Sequence, residues 1–346
     1  MKRTYIIAEI GCNHNGDKEL AKKLVIEAQK CGVDAVKFQT FHAEALISKY
    51  APKADYQKVT TGTTDSQLEM TRKLELSQKD YLELKRYASE LKLDVFSTPF
   101  DMDSIDFLYN TGQNVWKIPS GEITNLPYLE KIGGLKCDDK EIILSTGMSS
   151  LEEIETAVQI LVDHGTKRQA IVLLHCNTEY PTPDEDVNIL SICALKARFP
   201  DIRIGFSDHS VGYVAAVGAV AVGAEMIEKH FTLDKSMPGP DHQASANPNE
   251  LKELCVNVRR IENMLGKNKK FVTKSEKKNM IVARKSIVAK QEIKKGELLT
   301  NYNITCKRPG NGISPLYWYE VIGKKAERDF RPDELISLSD IPNQEN

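Results

Sequence analysis

Short β-branched apolar runs alternate along this chain with longer segments whose apolar positions recur at helical spacing, and the alternation persists to about residue 265. The runs 5–9, 35–39, 94–97, 115–118, 141–145, 170–175, 203–207 and 226–231 read as eight strands. Segments between them, among them 18–31, 151–164 and 212–223, read as amphipathic helices. Such alternation predicts an α/β fold with a parallel sheet and helical crossovers, and eight units in about 265 residues predict a (β/α)8 TIM barrel. A doubly wound open sheet is the alternative, but the Gly-x-Gly-x-x-Gly turn expected after its first strand is missing.

The pattern breaks at 266–285, where Gly-Lys-Asn-Lys-Lys and Thr-Lys-Ser-Glu-Lys-Lys-Asn predict a basic linker. Residues 286–346 then read as a small, mostly β domain with an internal echo. Ala289, Ile293, Gly296 and Ile304 recur 37 residues later as Ala326, Phe330, Asp333 and Ile341, which predicts two copies of a strand–turn–strand unit. Between the copies, Lys307-Arg308-Pro309-Gly310-Asn311-Gly312 reads as an exposed loop.

With 47 Lys and Arg against 49 Asp and Glu, the net charge of −2 removes the overall basicity of a nucleic-acid binder. No apolar run approaches the roughly 20 residues of a membrane span, and Glu9 interrupts the N-terminal apolar stretch well short of a secretory core. The expectation is a cytoplasmic protein without membrane or nucleic-acid partners. Seven scattered cysteines without a Cys-x-x-Cys pair suggest neither a disulfide framework nor a zinc cage.

In a barrel of this kind chemistry sits where the strands end. Nearly every predicted strand here ends in polar residues: Glu9; Lys37 and Gln39; Thr98; Lys117 with Ser120 and Glu122; Ser145; His175 with Asn177 and Tyr180; Ser207 and His209; Glu228 and His230, with Asp241 beyond. Lys37 and Lys117 with Thr98, Ser120, Ser145 and Ser207 would surround a phosphate or carboxylate with cations and hydroxyls. His209 and His230, on neighbouring strands 7 and 8, could converge on one divalent metal completed by oxygen or water. Glu122 could act as an acid or base through a bound water. His14, His42, His164 and His242 read as surface or loop residues.

The runs Ile10-Gly11-Cys12-Asn13-His14-Asn15-Gly16, Lys37-Phe38-Gln39, Phe96-Ser97-Thr98-Pro99-Phe100, Lys117-Ile118-Pro119-Ser120-Gly121-Glu122, Leu144-Ser145-Thr146-Gly147-Met148, Phe206-Ser207-Asp208-His209 and Glu228-Lys229-His230-Phe231-Thr232 occur in this order. Together they resemble bacterial N-acetylneuraminate (sialic acid) synthases, and the 307–312 loop resembles that family's C-terminal antifreeze-like (SAF) domain. The resemblance implies condensation of phosphoenolpyruvate with N-acetylmannosamine and water to N-acetylneuraminate and phosphate, with C–O cleavage through a tetrahedral intermediate. It implies that Lys37, Thr98, Lys117, Ser120, Ser145 and Ser207 hold phosphoenolpyruvate, and that His209 and His230 bind a divalent metal: manganese, with magnesium or cobalt as alternatives. It further implies that Glu9, Gln39, Tyr180, Glu228 and Asp241 line the substrates, that Glu122 is the acid/base group, and that Arg308 arrives from the partner of a domain-swapped homodimer. The family's Thr-Asn after His175-Cys176 is here Asn177-Thr178, so either residue could contact phosphoenolpyruvate.

Acceptors of the sister enzymes remain open at this level: legionaminic or pseudaminic acid synthases would use a 2,4-diacetamido-6-deoxyhexose, and a further variant a phosphorylated sugar. Segment 51–76 is expected to contribute to that choice. A Schiff-base mechanism on Lys37 or Lys117 and a non-catalytic sugar binder are weaker readings, since neither needs two lysines and two histidines at one barrel mouth.

Overall fold

The computed structural model describes residues 3–62 and 64–341. Eight parallel strands, β1 (Tyr5–Gly11), β2 (Ala35–Thr40), β3 (Asp94–Pro99), β4 (Val115–Ile118), β5 (Glu141–Ser145), β6 (Ile171–His175), β7 (Arg203–Asp208) and β8 (Met226–His230), follow one another around a single sheet. Consecutive strands other than β3 and β4 pair in parallel, and β1 pairs with β8. Between β3 and β4 a side chain takes over from the backbone ladder. Gln113 accepts from Ser97 N (2.9 Å) and donates to Ser97 O (2.9 Å), satisfying the two groups a neighbouring strand would otherwise meet. The result is a TIM-type (β/α)8 barrel.

Two apolar layers follow from strand alternation. Outward-facing Ile6, Ala8, Ile10, Val36, Phe38, Trp116, Leu144, Leu173, Phe206 and Ile227 pack against the helices. Inward-facing Ile7, Ala35, Phe96, Ile143, Val172, Leu174 and Met226 plug the lumen. Gly205 belongs to this plug because a Cβ there would lie 2.5 Å from Leu174 Cδ2 and 2.6 Å from Met226 O.

The chain divides into two compact units, Met1–Gly266 and Lys267–Asn346. Met1, Lys2, Thr63 and the last five residues of the expected 286–346 domain lie outside the described residues. The segment expected to be a basic linker contains a helix, Lys274–Ala283, capped by Thr273 and Glu276. None of its side chains is buried, so it lacks the apolar stripe that announces a helix in sequence.

In the second unit β9 (Ser286–Ala289) and β10 (Ile304–Lys307) pair antiparallel. The echo survives as mutual backbone hydrogen bonds between Ile293 and Phe330 (3.0 and 2.8 Å). Asn303 and Asp340 also repeat one turn, accepting from Thr300 N and Ser337 N. The second copy, however, pairs through isolated bridges at Leu335, Phe330 and Lys325 instead of forming strands. The 307–312 loop is held more firmly than an exposed connector: Gly310 N donates to Ile281 O (2.7 Å), and Ser286 Oγ donates to Pro309 O (2.6 Å).

Candidate active site

Two residues past the apolar plug, the same inward-facing rows turn polar. Ile7 is followed by Glu9, Ala35 by Lys37, Phe96 by Thr98, Val115 by Lys117, Ile143 by Ser145, Gly205 by Ser207 and Met226 by Glu228. Strand periodicity alone therefore stacks a charged layer on an apolar one, and all seven polar side chains line one cavity of about 400 Å³.

The floor of that cavity is a buried ion network. Lys37 Nζ lies 2.5 Å from Glu9 Oε2 and 3.7 Å from Glu228 Oε2, and donates to Thr98 Oγ1 (3.0 Å). Lys117 Nζ lies 3.7 Å from Glu228 Oε1 and donates to Ser145 Oγ (2.8 Å). Ser207 Oγ donates to Glu228 Oε1 (2.9 Å). Burial works against the charge of Glu228, but Lys117 and Lys37 outweigh it and hold the carboxyl below the usual carboxylate range. Glu9 goes the other way, pushed up by burial that Lys37 only partly offsets. Lys37 stays above the ordinary lysine range because Glu228 and Glu9 outweigh its desolvation, whereas burial pulls Lys117 below it.

Beyond the network, the β4–β5 side of the rim is closely packed. Ser120 Oγ accepts from Gly147 N (3.0 Å) and lies 3.2 Å from Cys176 Sγ. A Cβ on Gly147 would meet Thr178 Cγ2 at 2.8 Å and Ser120 Oγ at 2.9 Å, so only glycine lets the three loops meet.

Across the cavity the imidazoles of His209 and His230 face each other, ring centroids 5.4 Å apart. His209 Nδ1 donates to the carbonyl of Asn177, which leaves Nε2 to offer its lone pair toward Tyr180 Oη at 3.1 Å. His230 Nδ1 is buried without a hydrogen-bond partner among the described residues, 3.9 Å from Asp241 Oδ2. Burial lowers His209 to about 4 and His230 well below the ordinary 6.5, so both rings are neutral at pH 7 and able to act as ligands. Among the described residues no three His, Cys, Asp or Glu side chains form a ready-made cage. Two neutral imidazoles, one with an orphaned nitrogen, in the same cavity as the Glu9 and Glu228 carboxylates, therefore suit an open site completed by water or substrate and not a closed structural one. Asp241, pushed up by burial to about 6, accepts from Cys12 Sγ (3.3 Å).

Residues 24–270 match the model of the NeuB family, and residues 284–342 match the SAF domain. The chain belongs to the NeuB family. It is 52% identical over 336 residues to an N,N'-diacetyllegionaminic acid synthase of Campylobacter jejuni subsp. jejuni serotype O:2, covering 97% of this chain and 99% of that relative. A protein of the same name from Legionella pneumophila subsp. pneumophila is 42% identical, covering 93% of this chain and 90% of its own. The crystal structure of an N-acetylneuraminic acid (sialic acid) synthetase from Leptospira borgpetersenii serovar Hardjo-bovis in complex with citrate aligns with a TM-score of 0.71 at 34% identity, covering 81% of this chain and 90% of that one.

Within this NeuB-family enzyme the cavity gathers Glu9, Lys37, Gln39, Thr98, Lys117, Ser120, Glu122, Ser145, Tyr180, Ser207, His209, Glu228, His230 and Asp241. Asn177 is not among them. Its amide faces Asp186 O and Glu179 N, and the neighbouring Thr178 lines the cavity instead, a consequence of the His209 ring drawing the Asn177 carbonyl toward itself. Arg308 lies exposed in the second unit, its Nε donating to Ala283 O (3.1 Å). His14 and His242, expected at the surface, are buried at 1% and 0% exposure. His242 Nδ1 meets Thr232 Oγ1 at 2.7 Å, and His14 Nδ1 accepts from Gly16 N at 3.0 Å, so both hold loops at the rim.

Sequence patterning missed Cys12, which reaches the cavity from the turn after β1, and Cys176, which follows the lumen residue Leu174 by two positions just past β6. It singled out segment 51–76 without assigning contacts; the structure places Tyr56, Gln57, Gln67, Met70, Thr71 and Leu74 of that segment in the lining. No helix among the described residues is long and apolar enough to cross a membrane.

Proposed function

We propose that this enzyme condenses phosphoenolpyruvate with 2,4-diacetamido-2,4,6-trideoxymannose and water, releasing phosphate and N,N'-diacetyllegionaminic acid. The 52% identity along almost the whole of both chains carries this reading over N-acetylmannosamine as acceptor. The condensation adds three carbons, so C5, C7 and C9 of the product come from C2, C4 and C6 of the acceptor. The two acetamido groups and terminal methyl of the product thus specify the acceptor. One side of the cavity supports it: Phe41, Leu46, Ile47, Met70, Leu74 and Phe100 offer apolar surface that suits a C6 methyl and acetamido methyls. Those six side chains offer no hydrogen-bond donor to the C4 and C6 hydroxyls of N-acetylmannosamine.

In this reading Lys37 and Lys117 exchange their carboxylate partners for the phosphate and carboxylate of phosphoenolpyruvate. Thr98, Ser120, Ser145, Thr178 and Ser207 supply hydroxyl donors. Carbon C3 of phosphoenolpyruvate attacks the aldehyde carbon of the open-chain acceptor, forming the C–C bond. Water then adds to the cationic C2, and the tetrahedral intermediate expels phosphate by C–O cleavage. Fixed lysines in a dry site stabilise the anionic group throughout, typically by several kcal/mol. Glu122, held by Asn125 Nδ2 (2.6 Å), takes the proton of the attacking water. A divalent ion, manganese in this reading, would sit at His209 and His230 and supply Lewis acidity toward the aldehyde oxygen. We further place the enzyme in a homodimer whose SAF domain brings Arg308 to the N-acetyl group of the partner's acceptor.

The test is phosphate release from phosphoenolpyruvate and Mn²⁺ with each acceptor in turn, with and without EDTA. Chelator-sensitive release with the trideoxy sugar is expected. Release with N-acetylmannosamine alone would overturn the acceptor, and indifference to EDTA would overturn the metal.

A further inference from the structure

Asp208 on β7 and Lys229 on β8 are register partners whose side chains are both 0% exposed and form an ion pair, Nζ to Oδ2, at 3.0 Å. They face away from the cavity. Each continues an outward row that is otherwise apolar, Ile204–Phe206–Asp208 and Ile227–Lys229, which packs against the helix layer. A charged pair in that layer gives up hydration without adding apolar contact, so fold stability alone does not explain it.

Its position does. The residue after Asp208 is His209, and the residue after Lys229 is His230. Besides Asp208, Lys229 Nζ donates to Ser210 O (2.5 Å), while Asp208 Oδ1 accepts from Ser210 N (2.9 Å) and Oγ (2.7 Å). One ammonium from β8 therefore grips the residues on both sides of His209. The β7–β8 register ends at Asp208–Lys229, so beyond that pair no paired rung fixes the separation of the two imidazoles.

We infer that Lys229, with Asp208, is a positioning residue that sets His209 against His230 as a two-nitrogen metal site. This rests on the metal reading above. The pair acts through the backbone and touches neither substrate nor metal.

The probe is Co²⁺, whose visible absorption reports ligand geometry independently of turnover. Wild type, Lys229→Met and the double variant Asp208→Leu/Lys229→Met are titrated with Co²⁺, and phosphoenolpyruvate affinity is measured on the metal-free proteins. Loss of an orienting partner typically weakens metal binding by about 10–100-fold. The expected result is a loss of that size with an altered spectrum in both variants, and phosphoenolpyruvate affinity within about twofold of wild type. The double variant removes both charges together and refills the site with apolar atoms, so it keeps the test decisive if the single variant leaves an unpaired Asp208 and fails to fold. Wild-type Co²⁺ affinity and spectrum in a folded variant overturn the inference, as does an equal loss of phosphoenolpyruvate affinity. Absence of Co²⁺ binding by wild type overturns the metal reading and this inference with it.

Discussion

The ring of Tyr180 stacks on that of His209, centroids 4.1 Å apart and planes 29° from parallel, with its hydroxyl 3.1 Å from Nε2. The same ring meets His230 edge-on at 5.4 Å, so one phenol spaces both imidazoles. Removing the hydroxyl while keeping the ring costs one neutral hydrogen bond, worth about 1 kcal/mol. Tyr180→Phe should therefore lower kcat/KM by no more than about tenfold. Tyr180→Ala also removes the stack and should lose considerably more. Steady-state kinetics on the pair decides it: equal losses would assign the role to the hydroxyl instead of the ring.

Glu228 sits between two lysines, 3.7 Å from each ammonium. In Glu228→Gln the empty site holds two buried cations against Glu9 alone. Breaking a buried ion network this way typically costs about 3–5 kcal/mol. The variant should melt earlier when empty, yet gain more from phosphoenolpyruvate than wild type does, because the ligand supplies the missing anion. Thermal melts with and without phosphoenolpyruvate measure the difference, and an equal or smaller ligand-induced shift would count against the lysines as the anion site.

The barrel and its anion floor were legible in the sequence for one reason: strand parity. Each floor residue follows an apolar lumen residue by two positions, so Lys37, Lys117 and Glu228 are located by the same alternation that defines their strands. Where the chain leaves the strands, parity stops. Nothing in Asn177-Thr178 says which side chain turns inward, since that depends on the carbonyl captured by His209. Burial of His14 and His242 depends on loops closing over each other, which no local pattern records. The 274–283 helix shows only its Thr273–Glu276 cap, because all its side chains face solvent or lie at partial exposure.

His14 makes the pH response of the fold testable away from His209 and His230. Burial lowers its pKa to about 4 from the ordinary 6.5, and Nδ1 works as an acceptor for Gly16 N, a role that requires the neutral ring. Between those two values the unfolded chain holds a proton that the folded one lacks. The stability this group contributes is therefore full above pH 6.5 and is lost as the pH drops toward 4, by up to about 1.4 kcal/mol per pH unit. His14→Asn keeps an acceptor near the Nδ1 position and removes the titration. Denaturant melts at several pH values should show a shallower acid slope in the variant, whatever its absolute stability, and an unchanged slope would assign the acid sensitivity to other groups.

Tyr56 connects the least regular part of the barrel to its chemistry. It lies on the seven-residue helix Asp55–Thr61, too short to be stable from its own propensity and without a single buried residue. The helix is tethered at its end by Lys53, which donates to Thr61 Oγ1 (3.1 Å) and Gly62 O (3.0 Å). It meets the site through an aromatic pair, Tyr56 against Tyr180 at 5.5 Å, and through Gln57 in the lining. The neighbouring lining, Gln57, Gln67 and Met70, comes from the same segment, whereas every lysine of the anion floor comes from a strand. Loss of the Tyr56 ring should thus loosen the acceptor side and leave the anion floor intact. Tyr56→Ala is expected to raise the acceptor KM by about tenfold or more, with the phosphoenolpyruvate KM within about twofold, consistent with an aromatic pair worth about 0.5–1.5 kcal/mol beyond its buried area. Tyr56→Phe should stay near wild type, because among the described residues the hydroxyl accepts only a long hydrogen bond, from Gln57 Nε2 at 3.5 Å. Parallel increases in both KM values would mean that the helix supports the whole barrel mouth, and acceptor choice would then have to be sought in the apolar wall of Leu46, Met70 and Phe100.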